Sequence, residues 1–111
     1  MITEKIYKHT DHTSSIIFEE DGEEQAINAS TRMVIVFGNN DAKIDSSGAS
    51  SAAFDWTTYG ADGRLDLKLG LEQPIINLRN GKYRALVIIY DATYPNGLPW
   101  DEILFEVKNA G

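Results

Sequence analysis

The chain has 111 residues, with seventeen acidic side chains against ten basic ones, a net charge of −7 and no cysteine. That length suits a single core, since folding hides roughly 65% of the surface that an unfolded chain of this size exposes. The cysteine count excludes a disulfide framework, thiolate zinc sites and cysteine nucleophiles. The negative field opposes a phosphate backbone, which sets nucleic acid aside as an expected partner.

The acidic excess lies in the first half, where residues 1–55 hold ten acids and four bases, against seven and six in 56–111. The longest strongly apolar run, Ala85 to Tyr90, is six residues, against the roughly 20 needed to cross a bilayer. The opening Met1-Ile2-Thr3-Glu4-Lys5 lacks the charged-then-apolar order of a secretory leader. The expectation is a protein with no membrane span and no signal peptide.

In chain order, residues 1–13 carry Ile2, Ile6 and Tyr7 without a clear alternation, and read as an edge strand or as an arm that docks on a neighbour. Residues 14–111 read as a β-sandwich domain. Ser15 to Glu19 gives its first strand, Asp21-Gly22 suits the positive φ angles of a tight turn, and a short strand follows at Gln25 to Asn28. Thr31 to Phe37 places Met33, Ile35 and Phe37 on one face and Val34 and Val36 on the other; apolar residues on both faces predict a central strand.

Gly38 to Ser51 is small and polar and reads as loop, with a short strand at Lys43 to Asp45. A strand at Ala53 to Trp56 and the turn Tyr59-Gly60-Ala61-Asp62-Gly63 lead into Arg64 to Leu69, the cleanest alternation in the chain: Leu65, Leu67 and Leu69 against Arg64, Asp66 and Lys68. Pro74 makes Gln73 to Leu78 either an edge strand or a linking turn. Lys82 to Asp91 is the strongest strand, and Glu102 to Lys108 pairs with it as a long hairpin across the Tyr94-Pro95-Asn96-Gly97-Leu98-Pro99 loop. The fold class expected is all-β, an immunoglobulin-like antiparallel β-sandwich of about seven to eight strands.

Chemistry finds little purchase in these residues. His9 and His12 flank Asp11, but a structural zinc site needs about four ligands and the chain has no third histidine. Two carboxylate groups have calcium-ligand types, Glu19, Glu20, Asp21, Glu23 and Glu24 in one and Asp41 and Asp45 beside Asn39 and Asn40 in the other. The second has Ile44 where an EF-hand needs glycine and no acid at the twelfth place. No Gly-x-Ser-x-Gly elbow and no phosphate-binding glycine motif occurs, so no catalytic residue, cofactor or metal is assigned. Trp56, Tyr59, Tyr94 and Trp100 fall near expected loops. Core packing at strand ends is the favoured reading for Trp56 and Trp100, while Tyr59 and Tyr94 stay open between core and surface. Tyr59, Tyr94 and Trp100 are the candidate contacts for a protein partner or a glycan, because flat rings bury much area at little entropic cost.

Three segments carry a resemblance that covers about residues 16–108. Phe18-x-x-Asp21-Gly22 with Ala26-Ile27 and Thr31-x-Met33-Val34-Ile35-Val36-Phe37 resembles the opening of immunoglobulin-like domains of phage baseplate and tail proteins, particularly the N-terminal domain of the baseplate upper protein family. Asp62-Gly63-x-Leu65-x-Leu67-x-Leu69 resembles their middle hairpin, and Gly81-x-Tyr83-x-Ala85-x-Val87-x-Ile89-Tyr90-Asp91 with Pro95-x-Gly97 and Ile103-x-Phe105-x-Val107 resembles their closing one. Gly81-Lys82-Tyr83 also resembles the tyrosine corner of such folds, with Ala85 where a disulfide-bonded member has its second cysteine. The resemblance implies a non-catalytic virion component, assembled in a host cytoplasm, that contacts itself or a larger tail protein. A carbohydrate-binding sandwich using its exposed aromatics is the alternative.

Overall fold

The computed structural model describes residues 3–109, Asp101 by its backbone alone. Among these residues ten strands form: β1 (Thr3–Lys8), β2 (Ser14–Ile17), β3 (Glu19–Glu20), β4 (Glu23–Glu24), β5 (Arg32–Phe37), β6 (Ala42–Asp45), β7 (Phe54–Asp55), β8 (Arg64–Leu67), β9 (Gly81–Tyr90) and β10 (Leu98–Asn109). One α-helical turn, α1 (Gln73–Ile76), lies between β8 and β9. The strands assemble into a five-stranded sheet ordered β1-β10-β9-β5-β6, a three-stranded sheet ordered β2-β8-β7 and the small β3-β4 hairpin. The two larger sheets enclose one core, and the protein is an all-β sandwich.

Period-two patterning explains which side chains meet there. Met33, Ile35 and Phe37 of β5, Ala85, Val87 and Ile89 of β9, and Ile103, Phe105 and Val107 of β10 are buried on the inner face of the large sheet. Ile16 of β2, Phe54 of β7 and Leu65 and Leu67 of β8 are buried from the small one. Phe37 and Phe105 meet with ring centroids 5.3 Å apart at the middle of this core.

The order of strands is that of an immunoglobulin-type sandwich: with the β3-β4 hairpin set aside, β2, β7 and β8 form one sheet and the remaining strands the other. Tyr83, two residues before Ala85, donates its hydroxyl to the Arg79 carbonyl at 2.6 Å and so completes a tyrosine corner at the entry to β9. The closing hairpin forms as expected, but β10 begins at Leu98, inside the expected loop, so that β9 and β10 run antiparallel from the Leu98–Ile89 pair to the Val107–Gly81 pair.

Several elements differ from the sequence reading. The sheet is mixed, because β1 runs parallel to β10, Thr3 facing Leu104 and Lys8 facing Asn109. Residues 3–8 are thus an edge strand, while Ile2 lies outside the described residues. Residues 25–28 form no strand; the hairpin lies earlier, at β3 and β4, where Asp21 and Gly22 take φ of 54° and 81° in a two-residue turn. The 73–78 segment is neither edge strand nor simple turn. Pro74 sits in the first turn of α1, where its missing N–H has no helical partner to lose. Ile75 and Leu78 are thereby buried beneath the sandwich.

Candidate functional site

Three connections meet at one end of the sandwich: residues 18–31 between β2 and β5, 56–63 between β7 and β8, and 91–97 between β9 and β10. Backbone hydrogen bonds fix the first of them to the second and to the end of β9. Phe18 N–H donates to the Gly63 carbonyl at 2.8 Å, Ile27 N–H to Gly60 at 2.8 Å and Thr31 N–H to Tyr90 at 2.8 Å. Trp56 joins them, its indole Nε1 donating to the Ser30 carbonyl at 2.9 Å. In immunoglobulin-type domains, loops at one such end make the contact surface.

The four aromatic residues separate by role. Trp56 and Trp100 are partly buried and pack against the core, Trp56 edge-on to Phe54 at 6.3 Å and Trp100 edge-on to Phe18 at 5.8 Å. Trp100 reaches that position through a shift of register between Pro99 and Asp101, which adds a residue to β10 and re-aims the indole. Tyr59 and Tyr94 each remain 45% exposed. Tyr59 is held beneath the Arg64 guanidinium, 4.2 Å from its ring centroid, and Arg64 is itself fixed by two hydrogen bonds to Asp66.

Tyr94 and Trp100 share a concavity of about 610 Å³ with Glu19, Glu20 and Leu98, whereas Tyr59 does not line it. The structure therefore brings together two of the three candidate contact residues. Beside them stands the acidic β3-β4 hairpin, where Glu19 faces Glu24 and Glu20 faces Glu23 directly across the ladder. Like charges so placed repel, and all four side chains are exposed.

Elsewhere the polar groups are structural. Asp55 accepts hydrogen bonds from the Thr58 hydroxyl at 2.8 Å and from the Thr57 and Thr58 N–H groups, both at 3.1 Å, which holds its carboxyl below the usual range. The Arg32 guanidinium, aided by Ser47, does the same for Asp45. Ser46 Oγ accepts from the buried Met33 N–H at 2.8 Å. His12 packs edge-on against Tyr7 at 4.9 Å. Among the described residues no three His, Cys, Asp or Glu side chains are grouped to hold a metal ion, and no helix is long and apolar enough to cross a membrane.

A second surface went unread in the sequence, although its signal was there. Both faces of β5 and of β9 are apolar, and this pattern points beyond central strands. It places Val36, Leu86, Ile88 and Tyr90, all partly exposed, on the outer face of the large sheet, where Val36 faces Leu86, while Val34 opposite Ile88 is buried. Leu104 of β10 extends the patch. Gly97 of the closing turn, at φ 92°, rests against Ile88 and Tyr90 and covers one end of it. The other end opens into a concavity of about 800 Å³ whose lining includes Val36, Leu86, Asn39, Asp41, Lys82 and Arg84.

Comparison of the chain with family models, curated proteins and solved structures finds no match. The fold assignment therefore rests on strand order, register and the tyrosine corner.

Proposed function

We propose that this chain is a non-catalytic structural domain of a phage or prophage tail or baseplate, acting through protein–protein contacts. The observation that carries the assembly reading is the outer face of the five-stranded sheet. A sandwich needs only its inner faces apolar; here Val36, Leu86, Ile88 and Leu104 are presented outward as well, each partly exposed. An apolar sheet face that reaches solvent between charged margins is the composition of a protein contact. The assignment to a phage tail comes from the segment resemblance around Asp21-Gly22, Asp62-Gly63 and Gly81-x-Tyr83.

Light scattering coupled to size exclusion, run across a concentration series alone and with neighbouring tail proteins, tests the reading. A discrete oligomer or a saturable complex is expected. A monomer that engages none of those proteins would overturn it.

The Tyr94–Trp100 concavity favours a second reading, a glycan-binding module, since it combines aromatic rings with the Glu19 and Glu20 carboxylates. Glycan-array binding lost on Tyr94→Ala is the expected result of that reading, and an array without hits sinks it.

A further inference from the structure

We infer that the outer face of the five-stranded sheet is a self-complementary contact that seats a second copy of this chain about a two-fold axis parallel to the strands, an inference that rests on the assembly reading above. Register decides the geometry. Lys43 of β6 faces Val36 of β5, Val36 faces Leu86 of β9, and Leu86 faces Glu102 of β10, so these four residues form one row across the sheet. The two central members are apolar and the two ends carry opposite charges.

An axis running along the strands between β5 and β9 lays β6 of one copy over β10 of the other. In that arrangement Val36 meets the second copy's Leu86, and Lys43 meets its Glu102. The symmetry repeats both contacts, as an isologous interface requires. The next residues follow the same rule. Arg84 of β9 lies across from the turn at Gly38, bonded by the Gly38 N–H to the Arg84 carbonyl at 2.7 Å, and the Asp41 carboxylate folds against Gly38. The concavity has Lys82 and Arg84 on one side, with Glu102 beside Arg84, and Asp41 on the other, and the two-fold carries Arg84 toward the second copy's Asp41. An axis across the strands along this row would instead oppose Lys43 to Lys43 and Glu102 to Glu102, which like-charge repulsion disfavours.

The two-fold leaves β1 without a counterpart, so four strands about 4.8 Å apart and six residues long overlap in a footprint of roughly 19 by 20 Å, and two copies cover about 800 Å², below the roughly 1,000 Å² of a stable specific interface. The dimer is accordingly weak and concentration-dependent. Glu102 also lies 3.6 Å from Arg84 of its own chain, with both side chains more than half exposed (53% and 73%), so its carboxylate stands at the surface, where the second copy's Lys43 reaches it.

Charge exchange tests the geometry on the full chain. Lys43→Glu alone and Glu102→Lys alone each place like charges at both symmetric contacts, and each is expected to weaken the dimer at least tenfold in sedimentation equilibrium. When the two variants are mixed, each symmetric contact of the mixed dimer again joins one acidic and one basic side chain, so the mixture recovers a dimer that neither variant forms alone. Circular dichroism melts confirm that both variants fold, as exposed positions allow. If a wild-type oligomer persists unchanged in both variants, or the mixture fails to recover, the two-fold is wrong while the assembly reading stands. If the wild type is monomeric at the highest concentration, the two-fold is overturned, and assembly reduces to docking on a different protein.

Discussion

Gly22 and Gly63 share a left-handed backbone, φ 81° and 79°, yet their surroundings differ. A Cβ at Gly22 meets nothing within 4 Å, whereas one at Gly63 lies 2.7 Å from the Gln25 carbonyl oxygen and 3.0 Å from that of Phe18. Those carbonyls belong to the 18–31 connection, which receives its hold on the 56–63 turn through the Phe18–Gly63 hydrogen bond. Gly22→Ala therefore carries only the cost of the left-handed conformation, about 1 kcal/mol. Gly63→Ala adds a backbone clash that only separation of the two connections relieves. In urea unfolding Gly63→Ala is expected to lose about 1–3 kcal/mol more than Gly22→Ala. Equal losses would show that the loops are not locked together at this point.

At the scale of elements, the three-stranded sheet sets Asp55 directly opposite Asp66. The pair is tolerated because each carboxylate has its own donors. Burial opposes ionisation of Asp66, but hydrogen bonds from Arg64 and from the Ser15 hydroxyl at 2.7 Å prevail and bring its pKa down. The sign of the linkage follows: with the folded pKa below the unfolded value of about 3.9, this contribution is complete above that pH and is lost as the pH falls through the folded value. Asp66→Asn is therefore expected to lower the melting temperature at pH 7 and to differ less from wild type near pH 2–3. A gap independent of pH would assign the role of Asp66 to packing. Alternation made β8 and β10 legible in the sequence, continuous apolar runs did the same for β5 and β9, and the Asp21-Gly22 turn and tyrosine corner were legible from residue type. The β3-β4 hairpin was not, since four glutamates have no strand preference and pair only because the turn brings them opposite. Nor was the register shift beside Trp100, which leaves no mark on composition, although the packing of the Trp100 indole against the core was expected from the sequence. Tyr59 and Tyr94 were placed correctly near loops, but only the folded chain separates the Arg64-covered ring of Tyr59 from the concavity at Tyr94.

The whole molecule is closed by its first strand. β1 joins the five-stranded sheet beside β10, with Ile6 opposite Val107 and only 2% exposed, so the start of the described chain meets its end. Sequence pattern could not choose between strand and arm, because one buried residue in six leaves no periodicity to read. The same separation orders the folding events. The β9-β10 hairpin closes over the short 91–97 connection, while β1 must find a strand about 100 residues away, at a loop entropy cost about 2 kcal/mol higher. Non-local pairing of this kind forms late. Ile6→Ala empties a core position and is expected to cost about 2–4 kcal/mol. In a stopped-flow chevron that loss should fall on the unfolding arm, with refolding nearly unchanged, because the contact is absent from the transition state. Val87→Ala, in the middle of β9, should instead slow refolding. If Ile6→Ala slows refolding in proportion to its loss of stability, β1 belongs to the nucleus and the sandwich closes from its edge.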